Sequence, residues 1–344
     1  MTHDVYTIAH LSDLHVTPVR VTNPLALLNK RILGWLSWTL RRQRLYRSEV
    51  FRTLITDLHQ QPHNAVVVTG DIANISLEDE FPAAVSWLQQ LGSPEKVFII
   101  PGNHDAYIPL SYEQSWKHWE AYLQSDSEFQ TSVARASTVQ PERSVKRVEG
   151  GAKDSLISDC NAERILFPTV RVRGPVVLIG VNTAFPPASW LDANGLIGPQ
   201  QLERLEQLLR QFSMTNLCRI VLIHHPPDAE VGARRRLIDT AAFCEILQRT
   251  GAELVLHGHL HRTMLRSIPG PTRPIPVVGV RSSSAVGHQS KKRARYHLYH
   301  IKRNDDEPDN SRFHIRMAVR AYDAAARRFV NKKELMLQAD GSFR

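Results

Sequence analysis

Lys96-Val97-Phe98-Ile99-Ile100-Pro101-Gly102-Asn103-His104-Asp105 is an apolar run followed at once by a turn that ends in three polar side chains. A short β-branched and aromatic run bounded by Pro-Gly reads as a buried strand that stops at the turn. Four other short motifs share this design. Asp13-Leu14-His15 follows the strand-like run 6–11, and Gly70-Asp71 closes the run 65–69. His224-His225-Pro226-Pro227 closes 219–223, and Gly258-His259-Leu260-His261 follows 253–256. Between them, 46–60, 77–91 and 237–247 read as helices, and Gly198-Pro199 opens an amphipathic one with Leu202, Leu205, Leu209 and Phe212 on one face. Strand, motif, helix in repetition is an α/β pattern with polar side chains gathered at strand C-terminal ends.

The chain of 344 residues is 42% apolar, enough for one large core. Its three cysteines, Cys160, Cys218 and Cys244, are odd in number and scattered, which argues against a disulfide scaffold and suits a reducing compartment. The N-terminus runs straight into a strand without the basic, apolar and small-residue regions of a signal peptide. No run of 18 apolar residues occurs, so no membrane-spanning helix is expected. These features predict a cytoplasmic protein.

The net charge of +9 is concentrated in one place. Residues 20–52 hold Arg20, Lys30, Arg31, Arg41, Arg42, Arg44, Arg47 and Arg52 against Glu49 alone. In the same segment Leu25, Leu28, Ile32, Trp35 or Leu36, and Thr39 or Leu40 recur at helical spacing, with Gly34 weakening a continuous helix. Two readings stand: an interfacial helix attracted to anionic lipid and anchored by tryptophan, or an apolar face packed on the core with its arginines in solvent. Without a nucleic-acid-binding module beside this charge, no nucleic-acid partner is expected.

Residues 111–124 read as a further helix. A polar stretch covers about 125–164, and strands are expected at 165–172, 176–181, 262–267, 276–280, 295–302 and 312–319. Asp13 and His15 stand two residues apart, and so do His259 and His261, so strand alternation would turn each pair to one side.

Taken together and in this order, the five motifs resemble the metal-binding motifs of the calcineurin-like metallophosphoesterases. The resemblance implies an α/β fold, a four-layer αββα sandwich of two mixed β-sheets flanked by helices. It implies an enzyme holding two divalent metal ions, with Mn, Fe and Zn all compatible with mixed nitrogen and oxygen ligands. Asp13, His15 and His261 would hold one ion, Asn103, His224 and His259 the other, and Asp71 would bridge them. Two such ions clamp the attacking oxygen and the phosphoryl group, and the nucleophile would be a metal-bound hydroxide. His104 would face the substrate, stabilising charge or protonating the leaving oxygen. Asp105 would hold the His104 ring in position, and His225 would line the pocket.

The expected organisation is a metallophosphoesterase domain over 1–290, with a basic hydrophobic insertion at about 18–46 and a polar insertion at about 125–164. A strand-rich extension follows at 291–344. A two-metal site beside a hydrophobic, basic cap is similar in architecture to family members that cleave the lipid-linked nucleotide pyrophosphate UDP-2,3-diacylglucosamine. That likeness implies a small-molecule phosphoester or lipid-linked nucleotide substrate. It also implies contact with an anionic membrane surface through residues 25–47, and a peripheral position at the inner face of the cytoplasmic membrane. A cyclic-nucleotide or glycerophosphodiester phosphodiesterase is the alternative enzyme, and a non-catalytic scaffold on the same fold the alternative class.

Overall fold

Three parallel strands, β1 (Tyr6–Leu11), β2 (Ala65–Thr69) and β3 (Val97–Ile100), carry the first three motifs at their C-terminal ends. They come from a computed structural model that describes residues 5–130, 167–187, 189–287, 289–304 and 312–344. Most of the polar stretch expected at 125–164, Cys160 and the start of the strand expected from 165 lie outside these residues. The second sheet contains β4 (Thr169–Arg173), β5 (Val176–Gly180), β6 (Cys218–Leu222), β7 (Leu254–His257), β8 (Met264–Ile268) and β9 (Ile275–Gly279), in the order β4-β5-β6-β7-β9-β8. Its inner four strands are parallel and its two edges antiparallel. The fourth and fifth motifs follow β6 and β7.

The strands are continuous in Val, Ile and Leu because both of their faces are buried. Alternate residues of the second sheet go to different cores. Leu178, Ile220, Leu222, Leu254 and Leu256 join the first sheet's Leu11, Val66 and Ile99 in one cluster. Val177, Ile179, Val221 and Val255 pack instead with Leu205, Leu209 and Phe212 of one helix (Pro199–Ser213) and with Phe243 and Leu247 of another (Thr240–Thr250). Two further helices, Ser48–Gln60 and Glu80–Leu91, add Phe51, Leu54, Phe81 and Leu88 to the first cluster. The result is the expected αββα sandwich, with two mixed sheets flanked by helices.

Residues past 290 complete the first sheet. β10 (Arg295–Arg303) pairs antiparallel with β1, aligning His10 with His297, and β11 (Phe313–Asp323) and β12 (Arg328–Met336) extend the meander outward. Tyr296, Leu298, Ile301, Ile315 and Met317 belong to the main cluster. The half of β12 around Lys332, Lys333 and Glu334 is solvated, so it lacks the apolar alternation that marks a strand in sequence and was not anticipated. Its charges also suit an edge strand that must not pair further.

Three expected helices differ from the observed ones, the one expected over 237–247 lying three residues later, at Thr240–Thr250. Glu80–Leu91 starts three residues late, because the buried Glu80 carboxylate accepts the Asn74, Ile75 and Leu77 N–H groups and holds the preceding residues as a turn. The helix expected over 111–124 is a 3-10 turn, Trp116–Trp119, followed by one α turn, Glu120–Leu123. Both indoles are buried, with their Nε1–H groups on the Asp105 and Phe81 carbonyls, and that anchoring overrides helical spacing.

The basic insertion folds as short turns: Pro24–Leu27, a helix Arg31–Ser37, a π-helical turn Trp38–Arg42 and a last turn Gln43–Leu45. The packing reading placed its leucines inside and its arginines outside, and the structure follows it only in part: Ala26, Leu27 and Trp35 pack against Ile75, Leu77 and Tyr107, and Arg41 and Arg44 are exposed. Leu25, Leu28 and Leu40 are 68%, 75% and 74% exposed, whereas Lys30, Arg31 and Gly34 are buried. The reason lies in the surface beneath. It offers the Ile75, Ser76 and Asp192 carbonyls, which Arg31 and Lys30 satisfy as donors. Gly34 is required at this contact, since a Cβ there would stand 2.5 Å from Ile75 Cγ2 and 2.9 Å from the Tyr107 hydroxyl. No helix among the described residues is long and apolar enough to cross a membrane.

Ile220, central in β6 and fully buried between the sheets, tests the shared core. Ile220→Ala should lower unfolding free energy by about 2–5 kcal/mol in a denaturant titration. A change of less than about 0.5 kcal/mol, typical of a surface position, would contradict it.

Candidate metal centre

The side chains that leave three of the five strand ends, those of β1, β2 and β7, do so on unusual backbone. Asp13, His15, Asp71, His259 and His261 all have positive φ, between 46° and 69°. L-residues avoid this left-handed region, and single residues are held there at a cost of about 1–3 kcal/mol each, most often at functional sites. Strand alternation is therefore not what brings Asp13 beside His15, or His259 near His261. All four residues lie beyond the last strand residue, and left-handed turns aim them inward.

Two groups of donors result. Atoms of Asp13, His15, Asp71 and His261 lie within 4.8 Å of one another, and so do those of His224, His225 and His259. Asp13 and His15 are fully buried, and Asp71 is nearly so. Asp13 Oδ1 stands 3.0 Å from His261 Nε2 yet has no hydrogen-bond partner. Two such donors held this close without a hydrogen bond fit a shared cation.

The imidazoles are turned for the same task. His15 places Nδ1 on the Ala73 carbonyl, His224 on the Thr69 carbonyl and His261 on the Tyr46 hydroxyl, which leaves each Nε2 facing inward. His259 is reversed, with Nε2 on the Arg235 carbonyl and Nδ1 2.8 Å from Asn103 Oδ1. Asn103 Oδ1 is also 3.2 Å from His224 Nε2, so Asn103, His224 and His259 converge. A ligating histidine ordinarily spends its other nitrogen on such an outer partner. His225 spends both, Nδ1 on Thr183 Oγ1 at 2.7 Å and Nε2 on the Ala193 carbonyl at 3.2 Å.

Asp71 joins the groups. Its Oδ1 accepts the His104 backbone N–H at 2.8 Å, and its Oδ2 lies 3.7 Å from His15 Nε2 and 3.5 Å from His224 Nε2. A Cβ on residue 102 would stand 2.3 Å from Asp71 Oδ1, so only glycine lets the two loops meet. Burial opposes ionisation of Asp71, but His224 and His104 hold its pKa well below the usual carboxylate range. Burial likewise opposes a charge on His224, and Asp71 overcomes it, raising the histidine to about 9. Burial drives His15 and His259 well below the usual histidine range and keeps them neutral, the form with a lone pair to give. The donor set thus fits two divalent cations, with Asp71 placed to touch both.

His104 lies beside this centre. Its Nδ1 meets the Asn74 carbonyl, and its ring stacks on Tyr107 at 5.3 Å. Asp105 does not hold that ring, contrary to the expectation from sequence. Its carboxylate accepts N–H groups from Ile72, Ala73 and Gly102, pinning the Asp71 loop to the loop that carries Asn103 and His104. Three backbone donors outcompete a single imidazole, and Asn74 and Tyr107 orient His104 instead.

Four further residues serve the site without having stood out in sequence. Tyr46 is buried and orients His261. Ser282 and Ser283, just past β9, bond the Asp13 and Ser12 carbonyls and brace that left-handed turn. Arg42 extends from the insertion to His15 and His104, 3.2–3.3 Å from their ring nitrogens. The Arg41-Arg42-Gln43-Arg44 cluster was visible as charge, but nothing in it singled out the second arginine.

A family model described as calcineurin-like phosphoesterase matches residues 6–263, which spans all five motifs. The chain belongs to that family. It is a metallophosphoesterase, a hydrolase of phosphoester bonds. Among solved structures, a dimetal phosphatase from Danio rerio is similar to this metallophosphoesterase at a TM-score of 0.55 and 11% identity, covering 97% of this chain and 99% of that one. The NAD nucleotidase of Haemophilus influenzae is similar at 0.45 and 11% identity, covering 96% of this chain and 60% of that one. The first of these likenesses concerns fold. No curated protein matches the chain in sequence.

A protonated His224 must lose its proton before it can ligate, so metal and proton compete. Metal uptake by the chelator-stripped protein should release protons, and affinity should rise with pH up to about 9, the raised pKa of His224. Calorimetry in two buffers of different ionisation enthalpy checks this. Affinity equal at pH 6 and pH 8 would contradict it.

Proposed function

We propose that this metallophosphoesterase hydrolyses a phosphoester or pyrophosphate bond in a lipid-linked substrate at an anionic membrane surface. A lipid-linked nucleotide pyrophosphate such as UDP-2,3-diacylglucosamine is the substrate type that suits it. The observation that carries this reading is the insertion. It turns Leu25, Leu28, Ile32, Leu33, Leu36 and Leu40 toward solvent while the same segment places Arg42 against His15 and His104. Exposed leucines gathered on one short segment mark a surface that meets something apolar. Arg41, Arg44 and Arg47 beside them, all at least partly exposed, favour anionic headgroups.

When bound, two divalent cations activate a water and offset charge on the phosphoryl oxygens. The chain's own residues do the rest. Asp13, His15 and His261 form one ligand set and Asn103, His224 and His259 the other, with Asp71 between them. His104 keeps Nε2 for the substrate because Nδ1 is committed to Asn74. Burial, then Arg42, hold its pKa down at about 3, and an anion beside the ring would favour the protonated form. Tyr107 stacked on the ring keeps Nε2 aimed at the leaving oxygen.

Two experiments test this. With a soluble chromogenic phosphodiester and Mn2+, His104→Ala should lower kcat by about 10²–10⁴ while leaving metal content unchanged; an unaltered kcat contradicts the role given to His104. In sedimentation with anionic phospholipid vesicles, the protein should bind in a salt-sensitive way. The pair Leu28→Asp and Leu40→Asp should abolish that binding and spare hydrolysis of the soluble diester. Vesicle binding that survives both substitutions would remove the membrane from the account.

A further inference from the structure

Arg42 brings a guanidinium into the centre of the site from outside the sandwich. Nη1 lies 3.3 Å from both His104 ring nitrogens, and Nη2 lies 3.2 Å from His15 Nε2 and 3.3 Å from its Nδ1. The guanidinium also covers the Tyr46 ring, 5.3 Å from its centre. Among the described residues Arg42 has no carboxylate partner, although Asp13 and Asp71 lie in the same site. Neutral imidazole nitrogens at 3.2–3.3 Å hold it less firmly than a carboxylate would. A centre built to collect divalent cations also repels a guanidinium. That repulsion turns to attraction when an anion stands between the two.

We infer that Arg42 is the phosphoryl clamp of this site, binding two non-bridging oxygens of the substrate's phosphoryl group while His104 faces the leaving oxygen. The inference rests on the reading of the site as a phosphoester hydrolase and assigns the part that the insertion plays in it. The guanidinium is a planar fork that matches two phosphoryl oxygens, which a lysine cannot imitate. Its position is built in. Gly34 lets the helix Arg31–Ser37 sit against Ile75 and Tyr107, and the π-helical turn that follows ends at Arg42. Tyr46 then supports the guanidinium from below while orienting His261. Membrane-facing leucines and the phosphoryl clamp thus lie on one short segment, so substrate charge and substrate lipid are read together.

The probe is inorganic phosphate, titrated by calorimetry into the full chain loaded with Mn2+, with metal content measured in the same samples. Arg42→Ala should weaken phosphate binding by about ten- to a hundredfold at unchanged metal content. Arg42→Lys should recover only part of the loss. Gly34→Leu, which presses the helix away from Ile75 and Tyr107, should weaken phosphate binding in the same direction. Phosphate affinity within twofold of wild type in Arg42→Ala would overturn the inference and leave the hydrolase reading standing. A wild-type chain that takes up no metal would overturn both.

Discussion

The Asp71 carboxylate is the point on which the two halves of the molecule agree. One oxygen is tied to the His104 N–H, and the other faces a histidine from each sheet, His15 at the end of β1 and His224 at the end of β6. The spacing of those histidines therefore depends on how the two sheets pack. It is set by Leu178, Ile220, Leu222, Leu254 and Leu256 packing on the first sheet. Interiors are close-packed and deform little. A core that fixes sheet separation also fixes how a carboxylate bridges two metal ligand sets.

Holding five residues in left-handed backbone stores strain, and the surrounding bonds show where it is offset. Asp105 gives its whole carboxylate to three N–H groups of the adjoining loops. Ser282 and Ser283 brace the turn at Asp13. Ser76, itself at positive φ, bonds the His104 carbonyl and the Tyr107 N–H. None of these residues is a candidate ligand, yet each holds a loop from which a ligand or His104 projects. Loss of one should relax the geometry rather than delete a donor.

Much of this was legible in the chain before any coordinate. The five motifs and their apolar runs announced the sheets, because a buried strand must be apolar and a turn rich in Gly, Pro, Asn and Asp must end it. The residues named as ligands do come together in space, and His225 joins them. What could not be read were relations between distant segments. Asp105 adjoins His104 in sequence but bonds Ile72 and Ala73, more than thirty residues away. β12 is half solvated and has no periodicity to find. In the insertion the hydrophobic spacing is real, and Ala26, Leu27 and Trp35 find apolar partners, but the Ile75, Ser76 and Asp192 carbonyls draw in Arg31 and Lys30 while Leu25, Leu28 and Leu40 stay outside.

The central claim is that Asp71 brings two cations close enough to share one carboxylate. Electron paramagnetic resonance of the chain loaded with two equivalents of Mn2+ tests it directly. A shared carboxylate places the ions about 3.5–4 Å apart, and the spectrum should be that of an exchange-coupled pair, collapsing in Asp71→Ala to the six-line signal of isolated ions. A wild-type spectrum of isolated ions, unchanged by that substitution, would contradict the account.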